Sequence, residues 1–269
     1  MEWLRANGCL DVKLGSVTIH AKRVDTTNAS YTGARPTCPN TKLVHFQRHG
    51  QGYHNLLYLV LDDAGQRIED IYHEDPKINP FVRPEIVDSP LTHHGRNQCV
   101  AQQVKAATLN PQVILVSPLV RAIETAVITF QTHHQNNVPF VAHEDAREEL
   151  GLLRCNQRQP LSESQRAYPF VDFGHMTSDQ DLLFDPLARE PALEQSKRIY
   201  NFLVQFLRHR PEQELAVVGH SAWLFQMCNA VLECEDKSDH QLKAWFGTSE
   251  IRSMSLTFQD DYEDADVET

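Results

Sequence analysis

Three short apolar segments of this chain run into side chains that could handle a highly charged group. Leu43-Val44-His45-Phe46 leads to Arg48-His49-Gly50, with Asn55 six residues past the histidine. Gln112 to Val116 leads to Ser117, with Arg121 one turn further on, and Leu215 to Val218 leads to Gly219-His220-Ser221. A phosphoryl group in transfer spreads charge over three oxygens, so its catalysis is mostly positioning and charge stabilisation. Arg48 and Arg121 can offer paired planar donors to those oxygens. His220 can add a third cationic donor, favoured by a bound dianion. Asn55 adds a neutral amide beside a helix start, which itself favours anions. His49 would attack as the neutral imidazole, one nitrogen free and the other held as N–H by an acceptor such as a backbone carbonyl. A departing alkoxide needs a proton donor. The acidic run Glu144, Asp145, Glu148 and Glu149 holds candidates, although such runs are usually solvated faces.

Each residue also has an ordinary reading. Alone, His49 is a structural histidine, Arg121 a solvated helix charge and His220 a buried, hydrogen-bonded ring; their places beyond strand ends favour chemistry. Ser117 and Thr125 read as supports for Arg121 and its helix start, and Trp223 as packing behind His220. Arg147, Arg158 and His54 read equally as wideners of an anion pocket or as surface charges. The adjacent pairs His93-His94 and His133-His134 point apart on a helix or strand, and no H-E-x-x-H is present, so no metal and no cofactor are expected.

The elements that must position these groups are legible from periodicity. Short apolar runs predict strands at Leu43–Phe46, Gln112–Ser117 and Leu215–Val218, and further strands are expected at Val138–Ala142 and Ile251–Phe258. Helical patterns fall at Asn55–Leu61, Gly95–Leu109, Leu119–Phe130, Ser162–Ala167 and Glu190–Arg208, with another running from Ser221 to Leu232. The stretch Glu190–Arg208 carries Ile199, Phe202, Leu203, Phe206 and Leu207 on one stripe. Residues 62–90 read as a long proline-bearing loop and 150–190 as irregular. Strands alternating with helices imply an α/β three-layer sandwich, a mainly parallel central sheet flanked by helices on both faces. Such sheets bind ligands beyond the carboxyl ends of their strands. Residues 1–40 read as an N-terminal extension, an appended segment with a hairpin around Val12–Val24. Residues 41–259 form the main domain, and 260–269 an acidic disordered tail.

Bulk properties exclude several classes. The chain has 269 residues, 41% hydrophobic and 23% charged, enough for a substantial core. Six acids between Asp260 and Glu268 supply part of the net charge of -11, leaving a mildly acidic body without the basic face that nucleic acid or an anionic membrane needs. No apolar run is long enough to span a bilayer, and the first residues lack a signal-peptide pattern. Six scattered cysteines without a C-x-x-C pair read as free thiols of a cytoplasmic protein.

Arg48-His49-Gly50 with Asn55 resembles the signature of the histidine phosphatase superfamily, the phosphoglycerate-mutase-like proteins. Further segments resemble that family in the same order. They are Leu91-Thr92 with Gly95 and Gln98; Ser117 with Arg121, Ala122 and Thr125; Arg147-Glu148-Glu149-Leu150-Gly151; and Gly219-His220-Ser221. The likeness spans about residues 42 to 258, and Arg147–Arg158 with Tyr168–Phe173 resembles the plant and microbial subgroup. One such tripeptide is weak evidence, but ordered elements together are specific. The resemblance implies a phosphoglycerate-mutase-like fold and a metal-independent phosphohydrolase acting on a phosphomonoester through a phosphohistidine on His49. Arg48, Arg121 and His220 would be catalytic and phosphate-binding, Asn55 phosphate-binding, and Glu148 the proton donor, with Glu149 as the alternative. The substrate would be a small phosphorylated metabolite or a phosphoprotein; oligomeric state is left open. Competing readings are a cofactor-dependent phosphoglycerate mutase and a non-catalytic phospho-ligand binding module. Mutases carry Glu-Ser after Arg-His-Gly and Gly-Asn after the second histidine. Here Gln51-Gly52 and Ser221-Ala222 stand instead, which favours hydrolysis.

Overall fold

In the computed structural model, which describes residues 2–10, 12–26, 33–65, 68 and 70–261, eight strands form one sheet. In chain order they are β1 (Val17–Val24), β2 (Thr41–Arg48), β3 (Val113–Val116), β4 (Phe140–Ala142), β5 (Val171–Asp172), β6 (Glu214–Gly219), β7 (Glu233–Cys234) and β8 (Ile251–Asp260). Their spatial order is β5-β4-β3-β6-β2-β8-β1-β7, and every neighbouring pair is parallel except those made by β8. The helices are α1 (Glu2–Ala6), α2 (Tyr53–Asp63), α3 (His93–Ala106), α4 (Val120–Thr129), α5 (Gln131–Gln135), α6 (Leu161–Ala167), α7 (Ala192–Asn201), α8 (Ser221–Gln226) and α9 (His240–Lys243).

The central strands follow from their composition. β3 and β6 are buried along their whole length, and β2 is buried at every position but its two ends, as required of strands covered on both faces. On one face Val44, Phe46, Leu215 and Val217 pack under Ile199, Leu203, Trp223 and Leu224 from the α7 and α8 side. On the other, Ile114, Val116, Ala216 and Val218 pack under Ala106, Ala122, Ile123 and Ala126 of α3 and α4. The mainly parallel sheet with helices on both faces is therefore as expected.

Some boundaries differ. The run expected as one helix over Glu190–Arg208 is α7 followed by a wider π-type turn at Phe202–Leu207, and α8 likewise passes into a π-type turn at Met227–Val231. The loop over 62–90 is broken by tight turns at Pro80–Val82 and Pro84–Ile86.

The reading of residues 1–40 as an appended hairpin is corrected. One strand, β1, lies inside the sheet between β8 and β7, with Ile19 and Ala21 buried. Its alternating burial is the weak alternation visible in the sequence, but alternation does not name a partner. That partner is β8, reached through His20 and Gln259, which lie 239 positions apart. Two residues placed in the expected tail, Asp260 and Asp261, are instead held by the domain. Asp260 closes β8 and pairs with Arg208, and Asp261 accepts from Thr18 and pairs with Lys13. Residues 262–269 lie outside the described residues.

The consequence for the site is positional. β3, β6 and β2 are adjacent and parallel, with Arg48 opposite Gly219 and Val116 opposite Val218. Their carboxyl ends therefore deliver His49, Ser117 and His220 to one edge of the sheet.

Candidate active site

The loop after β2 is fixed by its own backbone. The N–H of Gly50 donates to Thr125 Oγ1 at 3.0 Å, that of Gln51 to Gln98 Oε1 at 2.9 Å and that of Gly52 to Asn55 Oδ1 at 3.0 Å. Thr125 in turn donates to the carbonyl of Arg121 at 2.7 Å. The spaced residues of the 91–98 and 117–125 segments thus hold the His49 loop. Thr125 supports that loop as well as Arg121. Gly95 lets α3 touch the loop directly, since a Cβ there would lie 2.1 Å from the Gln51 carbonyl oxygen.

His49 is buried, and its Nδ1 donates to the carbonyl of Gly50 at 2.6 Å. A carbonyl accepts only, so Nδ1 carries hydrogen and Nε2 keeps its lone pair in the neutral ring. Burial, followed by the charges of Arg121, His54 and Arg48, holds the ring well below its ordinary pKa. The neutral imidazole is therefore the resting form, as an attacking histidine requires.

Around this ring stand the other expected residues. The His220 ring centroid is 5.1 Å from that of His49, and His220 Nε2 contacts Ser117 Oγ at 2.7 Å. Ser117 thus orients His220, and its Oγ also accepts from the Leu119 N–H at 3.4 Å, at the helix start it was expected to support. Burial also holds His220 well below its ordinary pKa. Arg121 is buried; its guanidinium donates to the carbonyl of Cys155 and, at 2.9 Å, to Asn156 Oδ1. Arg48 donates to the carbonyl of Phe246 at 2.7 Å. Asn55 spends its amide oxygen on Gly52, which leaves its NH₂ as the group to offer. Four buried nitrogens here have no hydrogen-bond partner among the described residues: Arg48 Nε, Arg121 Nε, His54 Nδ1 and His220 Nδ1. Burying such groups unpaired is costly; an anion would pair the two arginine N–H groups, and each neutral ring in the tautomer that carries hydrogen on Nδ1.

The two glutamates separate. Glu148 lies over the start of α8, accepting from the N–H groups of Ala222 at 3.1 Å and Trp223 at 3.0 Å and from Ser221 Oγ at 3.4 Å. It faces a cavity of about 210 Å³ shared with His54, Asn55 and Arg121. Glu149 also borders that cavity, but both its oxygens are taken by Arg189 in a bidentate pair.

His54 is the residue that sequence reasoning undervalued. Its ring centroid lies 5.5 Å from that of His49, close against both arginines, and burial holds it well below its ordinary pKa. Gly52 makes room for it, because a Cβ at Gly52 would sit 2.8 Å from the His54 ring. The signal was the glycine two residues before the histidine. Arg147 and Arg158 are neither pocket donors nor surface charges. Arg147 is fully buried, gripping Asp181 with two nitrogens and Glu144 with one; Arg158 binds Glu144 and the carbonyls of Ser178, Asp179 and Gln180. They tie the irregular 144–190 region together behind the site. Trp223 is buried as expected and donates to the Asp145 carbonyl at 2.7 Å.

A sheet of this topology, with paired histidines and arginines at adjacent strand ends, defines a class of protein. The chain belongs to the histidine phosphatase superfamily, branch 1, whose sequence profile matches residues 85–258. Among its relatives is a phosphoglycerate mutase-like protein of Arabidopsis thaliana, 27% identical, the alignment covering 80% of this chain and 84% of that one. Phosphoglycerate mutase-like protein 1 of the same plant is 28% identical over 80% of this chain and 81% of its own. A probable phosphatase of Schizosaccharomyces pombe is 24% identical over 82% of this chain and 93% of its own.

Proposed function

We propose that the protein is a phosphohydrolase that cleaves a phosphomonoester through a phosphohistidine on His49, without a metal ion or other cofactor. The observation that carries this reading is the set of unpartnered buried donors around a neutral imidazole whose Nε2 lone pair is free. Arg48, Arg121, His220 and the Asn55 amide hold the phosphoryl oxygens, and His54 adds a further donor. His49 Nε2 attacks phosphorus while protonated Glu148 gives its proton to the departing ester oxygen. The phosphohistidine forms as the alcohol leaves. Glu148 then takes a proton from a water molecule that attacks phosphorus, which frees His49 and inorganic phosphate. Acid–base help of this kind contributes about 10²–10⁴-fold, and the fixed donors stabilise the charge of the transferred group.

Hydrolysis is favoured over phosphoryl return to the product by the groups beside the site. Gly52 has no side chain to hold an intermediate, and the Ser221 hydroxyl is turned onto Glu148. The six cysteines are unpaired, which suits a reducing compartment such as the cytoplasm. Among the described residues no helix is long and apolar enough to cross a membrane.

The test is a brief reaction with a ³²P-labelled phosphomonoester followed by denaturation. The wild type should retain acid-labile, base-stable label and His49→Ala should retain none, with turnover abolished and the circular dichroism spectrum unchanged. Activity should persist in excess EDTA and should not depend on added bisphosphoglycerate. Substantial turnover by His49→Ala overturns the mechanism.

A further inference from the structure

We propose that the site takes phosphomonoesters whose esterified group is apolar and bears no second charge. This rests on the hydrolytic reading above and adds the substrate class. Beyond the donors that face phosphate, Glu148, Glu149, Asn156, Arg189 and Ser221 line part of the cavity, and Tyr58, Ile71, Phe81 and Leu153 form its apolar wall. Phe81 and Leu153 belong to a buried apolar cluster with Leu152 and Cys155, against which Ile71 packs. The wall is therefore the exposed side of a packed cluster rather than a set of mobile side chains.

Among the described residues, the arginines that border or back this space are already committed. Arg189 borders the cavity, but its fork is filled by both oxygens of Glu149 and its face lies over the Tyr72 ring at 4.6 Å. Arg147 and Arg158 are spent on Glu144, Asp181 and backbone carbonyls. A second anionic group would enter this space beside Glu148 and Glu149, and no arginine among the described residues that line it is left uncommitted to offset the desolvation cost. An alkyl or aryl group there instead removes apolar surface from water, with a gain of about fourfold in affinity per buried CH₂.

Non-hydrolysable alkylphosphonates separate this proposal from the hydrolytic one. Calorimetry with the wild type should show Kd falling along the series from ethyl to pentyl by about tenfold or more. The carboxylated analogue 3-phosphonopropionate should bind at least about tenfold more weakly than propylphosphonate. Ile71→Asn should flatten the chain-length dependence. If that variant misfolds, the wild-type series decides. A flat series, or tighter binding of the carboxylated ligand, overturns the proposal whatever the enzyme turns over. Affinity that climbs with chain length, with no phosphate released from the matching alkyl phosphates, supports the pocket and removes the hydrolytic reading instead.

Discussion

A proton donor needs a path to the leaving oxygen and freedom from a fixed cation. Glu148 shares the cavity with Arg121 and Asn55, and its oxygens accept from neutral N–H and O–H groups at the start of α8. Both oxygens of Glu149 are instead held by the Arg189 guanidinium. Glu148→Gln should therefore reduce kcat/KM for an alkyl phosphate by about 10²-fold or more, and reduce it far less for a nitrophenyl phosphate, whose leaving group departs as an anion. Arg121→Ala should depress both substrates alike, since it holds the charge of the transferred group. Glu149→Gln should leave the leaving-group dependence unchanged and lower stability by about 1–3 kcal/mol through an orphaned arginine. Equal losses for both esters in Glu148→Gln would place the general acid elsewhere. At this scale the residue types beyond strand ends were legible, because a run of apolar residues announces where a strand stops. The division between two adjacent glutamates was not, because Arg189 lies forty positions away. Nor was the burial of Arg147 and Arg158, whose partners come from a region with no periodicity.

Between the elements, the His49 loop is held by side chains from α3 and α4, and Gly95 sets how closely α3 approaches. Gly95→Ala would place a methyl group 2.1 Å from the Gln51 carbonyl oxygen, so the loop or the helix must give way. A displacement near 1 Å at the attacking group can cost on the order of 10²-fold in rate. Gly95→Ala should therefore lose activity by about that factor and retain a cooperative melt, read by kcat and Tm together. Full activity in this variant would show that the close approach does not set the loop. The strands β2, β3 and β6 were readable because burial on both faces leaves short apolar runs, and β8 because its apolar residues alternate from Met254 to Phe258. β5 and β7 are two residues long and give no pattern to read. α2 was found although none of its residues is buried throughout; the apolar residues that marked it as a helix lie largely at the surface, and its His54 turns its ring inward.

For the molecule as a whole, burial sets the response to acid. His49, His54 and His220 are held well below their ordinary pKa, and His143 is lowered to about 4, in each case chiefly by burial. The unfolded chain takes up protons at these rings below about pH 6.5 while the native protein does not, so stability present above that pH is lost as pH falls. Asp88, pushed up to about 6 by burial, acts in the opposite sense, its native carboxyl gaining a proton before the unfolded one. The four histidines outweigh it. Urea midpoints should fall between about pH 7 and about pH 5. His143→Phe, which keeps a ring against Phe202 and Phe206, should shrink that slope by up to about 1.4 kcal/mol per pH unit. A midpoint that rises on acidification would contradict this assignment. The place of β8 between β1 and β2 has a separate consequence, felt during synthesis. β1 leaves the ribosome early, yet the neighbour that separates it from β2 is made more than two hundred residues later, His20 meeting Gln259 across 239 positions. At roughly 5–20 residues per second the nascent chain carries an unpaired β1 for some ten to fifty seconds. Through that interval an open strand edge is available to other chains, so chaperone demand should fall on the half-made polypeptide rather than on the finished fold.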